Sequence, residues 1–244
     1  DDKIKIVFEN DDFVVIDKPA GVSAHPSSGE PKGTVVNWLL FKYPSIKSVG
    51  DTTNHALPIT HYSLLRPGLI HRLDKDTSGL MVIAKNQNTF LWLKSQFQTR
   101  QVTKKYLALV CGEITSESGR IDLNIVRSKS DPTRNTATSS KSRGRAALTY
   151  WRVLKNYPDF TLLEVTPQTG RMHQIRVHLK AVGHPVASDK KYGRGAKDLK
   201  HLGRMFLHAV YLSFNTPAGE KFSFHSTLPD ELERALQNLP YVVR

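Results

Sequence analysis

The unbroken apolar run Leu80-Met81-Val82-Ile83-Ala84 constrains this chain more than any other stretch. Five apolar residues in succession, with no polar residue at helical spacing, describe a buried strand rather than an amphipathic element. Directly ahead of it stand Arg72, Asp74, Lys75 and Asp76. A carboxylate in a cationic setting therefore sits at the mouth of a buried strand. Phe13-Val14-Val15-Ile16 is a second run of this kind, ended by Asp17, Lys18 and the turn Pro19-Ala20-Gly21.

The remaining elements follow from spacing. Residues 35–41 read as a short helix, and residues 44–68, with weak periodicity and several Pro, Gly and Ser, as a long loop. Leu69-Ile70 reads as a short strand. Phe90, Leu91, Leu93 and Phe97 recur at helical spacing within 89–99, and residues 106–110 form a strand. Residues 127–145, RSKSDPTRNTATSSKSRGR, hold six basic residues and one acid among many Ser and Thr. No core can be built from that composition, which predicts a loop or a disordered arm. Residues 147–154 and 160–165 flank the turn NYPD as a hairpin. Met172, Ile175, Leu179 and Val182 mark one helix face, stopped by Gly183 and Pro185. Strands at 206–214 and 221–225 and a helix at 230–239 complete the pattern. Strands and helices without regular βαβ alternation predict an α+β fold with a largely antiparallel sheet.

Composition narrows the partners. Thirty-five Lys and Arg stand against 22 Asp and Glu, a net charge of +13, which points to a polyanion such as nucleic acid. The single cysteine, Cys111, excludes an intramolecular disulfide and a cysteine zinc site. No apolar run is long enough to span a membrane, and the expected location is the cytoplasm.

Several chemistries compete for Asp74. Asp74, Asp76, Ser78 and Gly79 match the opening of a calcium loop, but its last ligand position holds Lys85 in place of Glu. A glycosidase pair of Asp74 and Asp76 fails because Arg72 and Lys75 favour the ionised form over a raised-pKa acid. Two readings stay open: a single ionised Asp acting on a nucleic-acid sugar or base, and an Arg72–Asp74 pair closing a turn. In QTGRMHQIRVHLKAVGHP, residues 168–185, His173, Arg176 and Lys180 share a cationic helix face, with Gly170 and Arg171 at an N-terminus suited to an anion. His173, His178 and His184 are spaced wrongly for a metal.

These blocks resemble one family. VVIDKPAGVSAHP (14–26), GLIHRLDKDTSGLMVIAK (68–85), KKYLALVCG (104–112), TPQTGRMHQIRVHLKAVGHPVASDKKYG (166–193) and LHAVYLSF (207–214) are similar, in order, to the RluA-like pseudouridine synthases of the large-ribosomal-subunit and tRNA type. The resemblance implies a single catalytic domain, residues 1–244, of two lobes about an RNA-binding cleft. Members of the family often carry a small N-terminal RNA-binding domain of the S4 type, and none is expected within residues 1–244. Asp74 matches the family's catalytic aspartate and Tyr106 the tyrosine that packs on the target uracil. Arg176 matches the arginine paired with the catalytic carboxylate, and Arg72 a residue touching the RNA where the base leaves the stack. Arg171, His173 and Lys180 are expected to hold RNA as well. The implied activity is isomerisation of uridine to pseudouridine, in ribosomal RNA rather than tRNA. Such a reaction exchanges no electrons and needs no activated water, so it implies no cofactor, no metal and no obligate protein partner.

Overall fold

The computed structural model describes residues 3–27, 29–51, 66–131, 133–194, 199 and 202–240. The elements in chain order are β1 (Lys5–Glu9), β2 (Phe13–Lys18), α1 (Val35–Lys42), β3 (Ser78–Ala84) and α2 (Gln87–Gln98). Next come β4 (Thr103–Cys111), β5 (Ser118–Asp122), β6 (Asn124–Arg127), β7 (Asn135–Thr138), β8 (Leu148–Tyr157), β9 (Phe160–Pro167) and α3 (Gln174–Ala181). The last are β10 (Leu207–Asn215), β11 (Lys221–His225) and α4 (Asp230–Gln237). The chain divides into two compact units, Asp1–Val102 with Tyr211–Ser226 and Thr103–Val210 with Thr227–Arg244.

In the first unit, β1, β2 and β3 pair antiparallel, with Val15 opposite Val82 and Ile16 opposite Met81. Every residue of β3 is buried, as its continuous apolar run requires of a strand covered on both faces. Phe13 of β2 packs edge-on against Phe214 and Phe222. Thr34 and Asn37 close a reciprocal capping box at the start of α1. Gly68 lies at φ +65, where an added Cβ would meet the Ala84 carbonyl oxygen at 2.3 Å. Only glycine lets the chain approach β3 this closely.

The second unit carries antiparallel β4, β9, β8 and β5, with Tyr106 of β4 opposite Val165 of β9. α3 packs against β7, β8 and β9. The segment after α3 is held on β4: the Ala187 N–H donates to the Leu109 carbonyl at 2.8 Å, and the Cys111 N–H to the Pro185 carbonyl at 2.9 Å.

Three local expectations need correction. Leu69-Ile70 forms no strand; Leu69 makes one isolated bridge to Ile83, because the turn residues around it leave no room for a ladder. Residues 127–145 are not a structureless arm: Asn135–Thr138 pairs with β6. Ala137 packs against the cluster Ile125, Ala147, Val177 and Tyr192, so the arm borrows a core from distant residues. The helix expected from 172 to 182 begins only at Gln174, and Met172 and Val182, outside it, are exposed. Within the loop expected at 44–68, Pro44–Ser48 is a 3₁₀ turn, and residues 52–65 lie outside the described residues.

Candidate active site

The loop carrying Asp74 is fixed at both ends. Ahead of it, His71 stacks on Phe97 with ring centroids 4.7 Å apart. Its Nε2 accepts a hydrogen bond from the Val82 N–H at 3.0 Å, which puts the ring proton on Nδ1. Behind it, the Lys75 carbonyl accepts two bonds, from the Gly21 N–H at 2.9 Å and from Lys18 Nζ at 3.0 Å. Lys18 is fully buried. Its ammonium also donates to the carbonyls of Pro19 and Val22, each at 2.8 Å, so three N–H donors meet three carbonyl oxygens. The PAG turn is thereby tied to the Asp74 loop. Leu73 and Thr77 are buried on either side, the Thr77 N–H donates to the Asp74 carbonyl at 3.1 Å, and Asp74 itself is partly exposed. Arg72 is exposed, whereas Lys75 pairs with Glu30 at 2.9 Å.

The second unit holds the other expected residues. Tyr106 is buried on β4. Arg176, on α3, is buried as well and does not belong to a solvated cationic face. Its Nε and Nη2 donate to the two carboxylate oxygens of Asp189 at 2.7 and 2.9 Å, a bidentate charge-assisted pair. Asp189 Oδ1 also accepts from the Lys191 and Tyr192 N–H groups. Burial pushes the Asp189 carboxyl up, but the hydrogen bond and charge of Arg176 and these two N–H groups outweigh it and hold the carboxyl below its usual range. The Tyr192 ring lies under the guanidinium, 4.9 Å from Cζ.

The structure therefore draws Arg176 and His173 together through Tyr192, whose hydroxyl bonds His173 Nδ1 at 2.8 Å and accepts the Asn135 N–H at 3.0 Å. His173 precedes α3, at φ 58, instead of sitting on its face. Arg171 stands apart, its Nε donating to the Ala146 carbonyl at 3.1 Å. The Arg171 N–H donates to Gln174 Oε1 at 3.0 Å, so Arg171 lies ahead of α3, whose N-cap is His173 with no side-chain cap. Of the cationic set on α3, Lys180 is the exposed one.

Sequence reasoning passed over Lys18, His71 and Asp189. The signals were present: a lysine inside the buried run FVVIDK, and a lone acid in the block VASDKKYG. No group of His, Cys, Asp and Glu that could hold a metal occurs among the described residues.

Residues 12–181 match the model of the RNA pseudouridylate synthase family. An uncharacterized RNA pseudouridine synthase of Chloroflexus aurantiacus is 43% identical over 223 residues, 91% of this chain and 65% of that protein. Ribosomal large subunit pseudouridine synthase D of Nitrosomonas europaea is 39% identical over 248 residues, 98% of this chain and 67% of that protein. Among solved structures, human RNA Pseudouridylate Synthase Domain Containing 4 is 27% identical with a TM-score of 0.72, covering 97% of this chain and 94% of that one. The chain belongs to the RNA pseudouridylate synthase family. Its activity class is accordingly that of an isomerase acting on RNA.

Proposed function

We propose that this chain converts uridine to pseudouridine in large-subunit (23S) ribosomal RNA, in the cytoplasm, with Asp74 as the catalytic residue. Relatives of Nitrosomonas europaea and Haemophilus influenzae named ribosomal large subunit pseudouridine synthase D favour this substrate. The observation that carries the catalytic role is the Asp74 loop itself: the half-buried His71 anchor ahead of it and the buried Lys18 anchor behind it, a partly exposed carboxylate between them, and an exposed Arg72 beside it.

The reaction breaks N1–C1′, turns the base and makes C5–C1′. The target atoms are inaccessible in a stacked helix, so the base flips out, at a cost of a few kcal/mol that cationic contacts offset. An ionised Asp74 either attacks C1′ or takes the proton from C2′. Tyr106 packs on the uracil and helps the C5 proton leave. Arg176 is the match to the family's arginine that keeps the catalytic carboxylate charged against the desolvation of a closed site. Arg72, Arg171, His173 and Lys180 hold the RNA. No cofactor or metal enters this scheme.

The test is tritium release from C5-labelled uridine in a 23S ribosomal RNA transcript, with a tRNA transcript in parallel. The parent protein should release tritium from the ribosomal transcript. Folded Asp74→Asn protein should release none while binding the transcript, because Asn can neither attack C1′ nor accept the C2′ proton. Turnover by that variant overturns the catalytic role, and release from tRNA alone overturns the substrate.

A further inference from the structure

Beside the Asp74 loop, the first unit gathers three basic side chains whose electrostatics ask for an anion. Arg66 Nη2 lies 3.4 Å from His25 Nε2. Arginine only donates, so the His25 Nε2 accepts and its ring proton is on Nδ1. Burial, then the charges of Arg66 and Arg72, push His25 down to about 4, so at neutral pH it is an uncharged acceptor for Arg66. Burial and the charge of Arg72 push Arg66 down in turn. Among the described residues, the charges acting on Arg66 and on His25 are thus those of arginines. Residues 52–65, TTNHALPITHYSLL, which lead into Arg66, contain no Asp or Glu. Lys75, on the same loop as Arg72, shows the contrast: its charge is met by Glu30 at 2.9 Å.

Like charges held together raise the energy of the folded protein unless something of opposite charge relieves them. Two guanidinium groups match the oxygens of a phosphate in geometry as well as charge. We propose that Arg66, Arg72 and His25 form a phosphate site that takes a phosphodiester of the RNA adjoining the target uridine. Arg66 and Arg72 supply the charge, and neutral His25 orients Arg66 without adding to the repulsion. Arg72 is two residues from Asp74, at most about 7 Å along the backbone, so the phosphate held here belongs to the nucleotide at the reaction centre or its neighbour. The site gives unpaired RNA a fixed point from which one base is presented.

The proposal rests on RNA being the substrate but not on the catalytic role of Asp74, and its test reads binding alone. Affinity for a fluorescein-labelled oligouridylate is measured against salt in phosphate-free buffer. The variants are Arg66→Gln and, as a control cation in the same unit, Lys47→Gln, with circular dichroism confirming that each is folded. Arg66→Gln should bind several-fold more weakly, and its slope of log affinity against log salt should be shallower by roughly 0.7, the loss of one single-strand phosphate contact. Lys47→Gln should match the parent. In the second arm, the His25 ring resonances are followed by NMR as oligouridylate or inorganic phosphate is added. A shift with oligouridylate in the parent, lost in Arg66→Gln, supports the proposal. An unchanged slope and affinity in Arg66→Gln overturns it, as does a His25 response to inorganic phosphate with none to oligouridylate. Oligouridylate bound through the site by a protein without turnover would overturn the isomerase chemistry and leave the phosphate site standing.

Discussion

Asp74 and Arg176 are fixed in their own units by opposite means. In the first unit the anchors act on the backbone: Lys18 and Gly21 hold the Lys75 carbonyl, and His71 holds the Val82 N–H. None of these bonds uses the Asp74 side chain. In the second unit the side chain is itself the anchor, since Arg176 is buried by virtue of its two bonds to Asp189. Replacing the carboxylate therefore leaves the Lys18, Gly21 and His71 anchors in place, whereas replacing the guanidinium strands the buried Asp189 charge. Loss of activity reads as chemistry at position 74 and as a mixture of chemistry and stability at 176.

The largest expected effect tests that contrast directly. Arg176→Gln leaves Asp189 buried without its cation and should cost about 3–5 kcal/mol of unfolding free energy, read from the urea midpoint, while Asp74→Asn should barely move it. Equal stabilities would erase the distinction. Lys18→Met comes next. It removes one donor from each of three carbonyls, about 1 kcal/mol apiece, for a total near 3 kcal/mol, and it should also lower turnover by loosening the Asp74 loop. A Lys18→Met protein as stable and as active as the parent would show that the loop does not depend on its backbone anchors.

Smaller effects sharpen the comparison. Tyr106→Phe keeps the ring on β4 and removes the hydroxyl. If that hydroxyl assists loss of the C5 proton, turnover should fall by a factor of about 10² with RNA affinity unchanged; full turnover would leave Tyr106 a packing residue. The mildest change is expected in the arm. Replacing Arg127, Lys129, Arg134 and Lys141 by Ser should weaken RNA binding and flatten its salt slope by less than the roughly 0.7 per cation of a fully engaged contact. Arg134 is already paired with Asp131 at 3.1 Å and Lys141 with Asp122 at 2.9 Å. A slope change of the full amount would mean that RNA displaces both carboxylates.

The amino-acid sequence by itself determined the elements whose burial is written into consecutive residues. β2 and β3 were legible because an unbroken apolar run has no side to turn to water. The β8–β9 hairpin was legible because its turn residues stand between its strands. Asp74 stood out as a candidate because cations and a buried strand flank it within a few residues, and the resemblance then supplied the role proposed for it. Only the tertiary structure decided the partners. Lys18 meets Lys75 across 57 positions, Asn135 meets Tyr192 across 57, and Arg176 meets Asp189 across 13. Periodicity shows which face of an element is buried, not what it is buried against. The cationic face expected on α3 failed for this reason: spacing placed Arg176 beside His173 and Lys180, but a carboxylate beyond the end of the helix drew it into the interior. The arm of residues 127–145 follows the same physics. Its composition cannot make a core, yet Asn135 and Ala137 find one in Tyr192, Val177 and Ile125, contacts that exist only once the chain has folded.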